Sequence, residues 1–248
     1  MDDVEARALA WHRSIHAEFC DVCEPWEHGT VVRATRYPSY YDLNTVRVED
    51  DPGMSAEELA AFADEALAGL AHRRVDFERV DVGAALRERF AALGRLTEQL
   101  VWMRHESSPP AATEIAVEEV PYDEVRELRV RWHREDFPGV DPTRFLDQSR
   151  EAAGRRDAQV FAVRDGGRPI AYTQLERHEG SAEIAHVYVH PDHRGRGLGT
   201  AITCAAIHAA GGARDLWIVA DDEGRAKELY ARLGFRPVWA AVETLRLP

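Results

Sequence analysis

Cysteine is scarce. Cys20, Cys23 and Cys204 are the only three, too few for a disulfide framework, so a reducing, cytoplasmic setting is expected. Long apolar runs are missing too: none reaches the ~18 residues needed to cross a bilayer. Positive charge is in deficit. Lys and Arg total 31 against 44 Asp and Glu, a net charge of −13. That balance argues against nucleic acid and anionic membranes as partners and leans toward a cationic one. Asp2, Asp3 and Glu5 stand ahead of any apolar run, so no secretory leader is expected. No Gly-Lys-Ser/Thr follows a glycine turn, which excludes a Walker loop.

What is present is enough to fold. A chain of 248 residues, 45% of them hydrophobic, can bury a core as one large or two small domains. The stretch from His190 to Thr200, HPDHRGRGLGT, stands out. It follows an apolar run (Ile184, Ala185, Val187, Tyr188, Val189) and leads into a helix-like run from Ala201 to Ala210. Strand, glycine turn, helix is how a backbone cradles a phosphate. Glycines let successive N–H groups point inward, and a helix start adds partial positive charge. Arg194 and Arg196 add full charges. The stretch reads as a pyrophosphate grip. A dinucleotide fingerprint would put G-x-G-x-x-G close behind the strand and an acid about 20 residues on. Asp221 sits at that distance. Yet the glycines here run Gly195, Gly197, Gly199, and Pro191 to Arg194 separate them from the strand.

In the first half, His12, His16, Cys20 and Cys23 allow a zinc reading. The better one is a helix with Trp11, Ile15, Phe19 and Cys23 on one core-facing stripe, and no metal is expected. Thr30–Thr35 and Thr45–Glu49 read as strands. Ser55-Ala56-Glu57-Glu58 has the form of a capping box, opening a helix to about Ala71. A strand at Arg74–Glu78, a helix at Ala84–Leu93 and a strand at Leu100–Met103 follow. Residues 106–113 read as a linker. In the second half, Ile115–Val120 reads as a strand, and Asp123–Asp136 and Thr143–Arg155 as helices. Ala158–Val163, Pro169–Leu175 and Ala182–Val189 form an antiparallel meander around the turn at Asp165-Gly166-Gly167. Leu216–Val219, a helix at Arg225–Phe235 and a last strand at Val238–Leu247 complete the sheet. A meander ahead of the glycine turn counts against a dinucleotide fold, where that turn follows the first strand.

Arg194-Gly195-Arg196-Gly197-Leu198-Gly199, preceded by Val187-Tyr188-Val189-His190-Pro191, resembles motif A of the GNAT acetyltransferase superfamily. Ala226-x-x-Leu229-Tyr230-x-x-Leu233-Gly234-Phe235 resembles motif B, in the right order and at the right separation. The resemblance covers most of Glu114 to Pro248. One departure is Glu223, where an Asn is frequent. The resemblance implies acetyl-CoA as co-substrate, with its pyrophosphate held by Arg194, Gly195, Arg196, Gly197, Leu198, Gly199 and Thr200. It implies that main-chain groups of Val187, Tyr188 and Val189 pair with the pantetheine arm. It implies Tyr230 as general acid and Glu183 as base, with Glu176, His178 and His186 as rivals. Glu183 shares strand parity with Val187 and Val189. The loop from Trp132 to Thr143, with Asp136 and Asp141, would line the acceptor pocket.

The first half runs parallel to the second. Val48 to Gly53 falls on the strand and phosphate turn, and Phe90-Ala91-Ala92-Leu93-Gly94 on Tyr230-Ala231-Arg232-Leu233-Gly234. This reads as an internal duplication. The first copy has no glycine turn. It offers Asp50 and Asp51 instead, and Glu58 would put its own carboxylate at the helix start. The expected fold is α/β: two GNAT-like halves, each a mixed sheet flanked by helices. The first, at residues 1–105, is degenerate, and 114–248 is catalytic. The expected activity is acetyl transfer to a primary amine of a small molecule, in a monomer or homodimer. The alternative is a non-catalytic acyl-CoA-binding module.

Overall fold

The computed structural model describes residues 3–248. Asp2, on which the expectation about a leader partly rests, lies outside them. Two compact units emerge. One comprises Met1–Trp102, Ala220–Gly224 and Pro237–Pro248; the other comprises Met103–Val219 and Arg225–Arg236. Both combine helices with a mixed sheet.

The first unit opens with α1 (Asp3–Phe19) and an antiparallel meander of β1 (Val22–Trp26), β2 (Gly29–Arg33) and β3 (Thr45–Val48). Then come α2 (Ala56–Ala66), β4 (Arg73–Phe77) parallel to β3, α3 (Val80–Ala92) and β5 (Leu96–His105), which ends in the other unit. Alternation sets the faces. Val46, Val48, Val75 and Phe77 point one way and bury themselves with Ala56, Leu59 and Ala63 of α2. Gly83 lets α3 approach: a Cβ there would lie 2.5 Å from that of Val242 and 2.9 Å from that of Phe77. The opposite face carries charge. Arg74 joins Asp42 at 2.5 Å, Asp76 at 2.8 Å and Glu243 at 2.6 Å. Burial pushes the Asp76 and Glu243 carboxyls up. Burial also holds the imidazole of His16, 2% exposed, down at about 3, and that of His72 at about 4.

The expected α1 stripe is corrected. The buried residues are Ala8, Trp11, His16 and Phe19; Ile15 is half-buried, and Cys23 sits exposed on β1. The helix stops at Phe19, because the chain turns there into a hairpin whose first strand carries Pro25.

The second unit runs β6 (Glu118–Val120), one 3-10 turn at Tyr122–Val125, α4 (Arg126–Asp136), α5 (Thr143–Arg155), β7 (Gln159–Asp165), β8 (Arg168–His178) and β9 (Ser181–Val189). Then come α6 (Leu198–Ala209), β10 (Leu216–Asp221), α7 (Ala226–Arg232) and β11 (Phe235–Arg246). β7, β8 and β9 form the expected meander, and β10 runs parallel to β9. Gly166 and Gly167, at φ +55° and +82°, make the first hairpin turn. One sheet face packs Val120, Val160, Ala162, Tyr172 and Tyr188 with Val125 and Leu128; the other packs Val163, Ala171, Val187 and Val189 with Leu198 and Ile202 of α6.

The last strand does not complete this sheet. β11 pairs antiparallel with β4 of the first unit, Val242 opposite Phe77 and Leu245 opposite Arg74. Val242 has a place waiting among Val75, Phe77 and Val82. An alternating strand shows that it pairs, not with which partner. Among the described residues no helix is long and apolar enough to cross a membrane.

Candidate active site

The site is built where β9 ends. Its ladder with β8 slips: Tyr172 faces Tyr188, but Gln174 faces Ala185, so His186 and Val187 together oppose Thr173. This is a β-bulge, with His186 at φ +53°. The pairing of β9 with β10 runs from Ala182–Leu216 to Ile184–Ile218, short of the bulge. The main chain of Val187 to Val189 therefore lies past the recorded ladder.

The bulge corrects the parity of Glu183. An inserted residue flips the alternation. Glu183 is opposite Glu176, on the face of Ala185 and Tyr188, whereas Val187 and Val189 face α6. Glu183 is half-buried.

After Val189 the chain makes a short 3-10 turn at Pro191–His193, then the glycine turn. Gly195 and Gly197 have φ of +76° and +80°. A side chain would be strained at either position. A Cβ on Gly195 would meet nothing within 4 Å, so the ground in front of the turn is open. α6 starts at Leu198, three residues before the expected Ala201, with Gly197 as its N-cap and no side-chain cap. Its first N–H groups thus keep their donors available. Leu198 is buried and anchors the helix start, while Gly199 is overlain by Leu229 of α7, 3.5 Å from where its Cβ would stand. Thr200 lies half-buried in the first turn.

The two arginines differ. Arg196 is exposed and donates to Nδ1 of His193 at 2.8 Å. Arg194 donates to the Val189 carbonyl at 3.0 Å and to Glu135 at 3.1 Å. Glu135 also accepts from the Tyr188 hydroxyl at 2.9 Å, and with burial this pushes that phenol up to about 12. Sequence reasoning missed Glu135, because its spacing from Arg131 marks only an ordinary helix-surface ion pair. Arg129 was missed as well. It is buried between the rings of Tyr122 and Tyr172, at 4.0 and 4.7 Å, and donates to Gln174. Its place in α4 looks like one more solvated arginine.

Tyr230 lies on α7, 5% exposed, 6.3 Å from Phe235 ring to ring. Burial pushes its phenol well up, so the proton stays on the oxygen near neutrality. Among the rival bases, His186 stacks edge-on at 5.2 Å against Trp132, and burial holds it down at about 3. An imidazole that weak cannot keep a proton taken from an ammonium. Glu176 accepts from Gln174, and His178 ends β8 beside the turn at Glu179. Cys204 is buried inside α6 and its thiol is pushed up, which suits packing and not nucleophilic attack.

The loop after α4 rests on rings. His133 lies 4.9 Å from both Phe137 and Phe145, with Trp132 6.0 Å from Phe145. His133 is fully buried, and neither ring nitrogen has a hydrogen-bond partner among the described residues. Asp141 is occupied locally, accepting from the backbone and hydroxyl of Thr143 at 3.1 and 2.8 Å. Asp136 is exposed at the end of α4.

A bulged strand, an uncapped glycine turn and the helix that follows make up the candidate site. Residues 124–235 match the acetyltransferase (GNAT) family model. Over that stretch the chain is similar to the GNAT family. An uncharacterised N-acetyltransferase of Methanocaldococcus jannaschii is 38% identical over 94 residues, covering 33% of this chain and 41% of that protein. The chain thus spans well under half of that relative. A GCN5-related N-acetyltransferase from Kribbella flavida superposes with a TM-score of 0.60 at 18% identity, covering 98% of this chain and 95% of the other. A tandem GNAT protein from the clavulanic acid biosynthesis pathway does so at 0.52 and 17% identity, covering 99% and 95%. Those two likenesses concern the fold.

Proposed function

We propose that the second unit transfers an acetyl group from acetyl-CoA to a primary amine of a small molecule, by direct attack in a ternary complex. The observation that carries this reading is the open start of α6. Two left-handed glycines and a helix without a side-chain cap leave donors aimed at one spot, with Arg194 and Arg196 beside it. A diphosphate fits that donor set. The bound thioester supplies an activated acyl carbon. The protein's part is to hold and to move protons. Main-chain groups at Val187 to Val189, past the end of the ladder with β10, pair with the pantetheine amides. Tyr230 holds a proton and gives it to the departing sulfur as the carbonyl carbon gains its bond to nitrogen. Glu183 is the base that takes the proton the amine loses. On this reading Asp141 serves the loop, and the rings beneath it shape the acceptor site.

We read the first unit as a copy without a cofactor site, and the setting as cytoplasmic. The shared element order supports a copy, and the capping box that closes the start of α2 supports its lack of a cofactor site. Calorimetry with acetyl-CoA, followed by turnover on a panel of amines, tests the proposal. Uptake with turnover supports it. Uptake without turnover, unaffected by Tyr230→Phe, favours a non-catalytic acyl-CoA-binding module.

A further inference from the structure

Helix α4 turns three side chains toward the bulge. Arg129, Trp132 and His133 stand three and four residues apart, on one side of the helix. Trp132 meets the His186 ring at 5.2 Å. Arg129 lies over the β8 residues on either side of Thr173. The Tyr172 ring centre is 4.7 Å from its guanidinium carbon, and Gln174 Oε1 accepts from it at 2.6 Å. Thr173 is the residue that His186 and Val187 oppose, and its hydroxyl donates to the Ala185 carbonyl at 2.9 Å. The guanidinium is therefore held against the strand that faces the bulge.

What it lacks is a counterion. Arg129 is 2% exposed, yet among the described residues no carboxylate forms an ion pair with it, and its Nε has no hydrogen-bond partner. Tyr122 covers its other side at 4.0 Å, with the Tyr122 hydroxyl against that of Ser149 of α5 at 3.1 Å. Burial pushes the Tyr172 phenol up, and Asp136 at the end of α4 adds to this. Along β8 the next group is Glu176, which meets Gln174 and has Arg156 at 4.0 Å. On β9 burial holds His186 down at about 3, with Arg129 adding to the effect, and Tyr188 is pushed up to about 12. Arg74 of the first unit, also buried, has three carboxylates around it. A buried charge ordinarily finds such a partner. A guanidinium without one cannot shed its proton, so it remains a standing positive charge.

That charge falls where the chemistry would be. On the acetyl-CoA reading, on which this inference rests, the pantetheine arm runs back from the glycine turn along Val189 to Val187 and brings the thioester to the bulge. Two charges change there. The acceptor ammonium gives its proton to Glu183 and becomes an amine. The carbonyl oxygen then becomes anionic as the carbon bonds to nitrogen, until the C–S bond breaks and the sulfur takes the Tyr230 proton. A fixed positive charge disfavours the ammonium and stabilises the oxyanion.

We propose that Arg129 is a fixed charge set beneath the bulge, which favours the unprotonated acceptor amine and the oxyanion across Thr173 without touching substrate. It acts through its field, and its position is set by Tyr122, Tyr172 and Gln174.

The test is the pH profile of kcat, with the amine of the panel that turns over fastest, for the full chain and two uncharged variants. Arg129→Met keeps the packing between the rings; Arg129→Gln keeps a donor for Gln174. In both, the rising acid-side limb should move up by about one pH unit, a tenfold loss of turnover below it. The sign is the same whether the limb reports the amine or its base, because a lost positive charge makes either hold its proton more tightly. Acetyl-CoA affinity should stay within about twofold. Thermal unfolding of Arg129→Met should rise or stay, since an unpaired buried charge has gone. A limb that stays in place in either folded variant overturns the proposal and leaves the acetyl-CoA reading standing. Failure of both variants to fold overturns it too, because the guanidinium would then be holding the unit together. No turnover of any amine by the unaltered chain removes the underlying reading, and this proposal with it.

Discussion

Helices α2 and α6 occupy the same place in their units. Each follows the third strand of an antiparallel meander and precedes a strand parallel to that third strand. They begin in opposite ways. At α2 the Ser55 hydroxyl accepts from the Glu58 N–H, and the Glu58 carboxylate accepts from the Ser55 N–H at 2.8 Å. Ahead of it, Asp51 accepts from Gly53 N–H at 2.9 Å and Asp50 meets His28 at 2.7 Å. The Ser55 and Glu58 N–H groups are satisfied from within, and the charge gathered there is negative. At α6 the cap is Gly197, no side chain closes the helix start, and the charge is positive. The same topology thus yields a sealed helix start and a receptive one, and a few residues in one turn make the difference.

The largest effect should come from giving α6 what α2 has. Gly197→Asp places a carboxylate at the helix start and a side chain at φ +80°. Acetyl-CoA affinity should fall at least about a thousandfold, to below detection by calorimetry, while stability drops only by the roughly 1–2 kcal/mol of left-handed strain. Retained binding would mean that the start of α6 is not the receptor.

The next effect concerns protons. His16 and His72 are held neutral in the first unit, down to about 3 and about 4, chiefly by burial. The folded state refuses their protons, whereas the unfolded chain accepts them near pH 6.5. Their contribution to stability is therefore complete above about pH 6.5 and is lost as pH falls toward the folded values, about 2 kcal/mol each by pH 5. Asp76 and Glu243 act the other way, since their raised folded values favour the protonated form and stability declines as pH rises through them. The first unit is pinched from both sides. Histidine proton resonances followed from pH 8 to 5 should show these two rings failing to titrate. A midpoint near 6.5 for either would show that it is not sealed in.

Tyr230→Phe should lower turnover about tenfold while acetyl-CoA affinity stays within about twofold. The aligned residue of the first unit, Phe90, is fully buried in an apolar core. Equal turnover would make Tyr230 no more than a second Phe90.

The glycine turn, the meander and motif B were legible because each depends on local chemistry. Gly195 and Gly197 answer to φ, the Asp165-Gly166-Gly167 turn to hairpin twist, and Ser55 with Glu58 to helix capping. What escaped depends on partners distant in sequence. The bulge at His186 appears only once β8 is laid against β9, and it moves Glu183 to the other face. Glu135 reads as a surface acid until Tyr188 and Arg194 arrive beside it. Val242 alternates like any strand residue, and only the space left over Val75 and Phe77 by Gly83 shows where it belongs.

The smallest effect tests the sealed helix start alone. Ser55→Ala removes the hydroxyl that accepts from Glu58 N–H, while the N–H of residue 55 can still donate to the Glu58 carboxylate. Loss of an N-cap costs about 1 kcal/mol, so the urea midpoint should fall by a small, measurable amount. If lack of a cap were enough to make a receptor, this variant would gain affinity for acetyl-CoA at α2. It should gain none. Opening the cap frees one N–H, but Asp50 and Asp51 remain in front of it, and the chain there has only Gly53 at positive φ, where α6 has Gly195 and Gly197. A second binding event in calorimetry on Ser55→Ala would show that capping alone separates the two helix starts. Its absence would assign the difference to the paired glycines and the arginines.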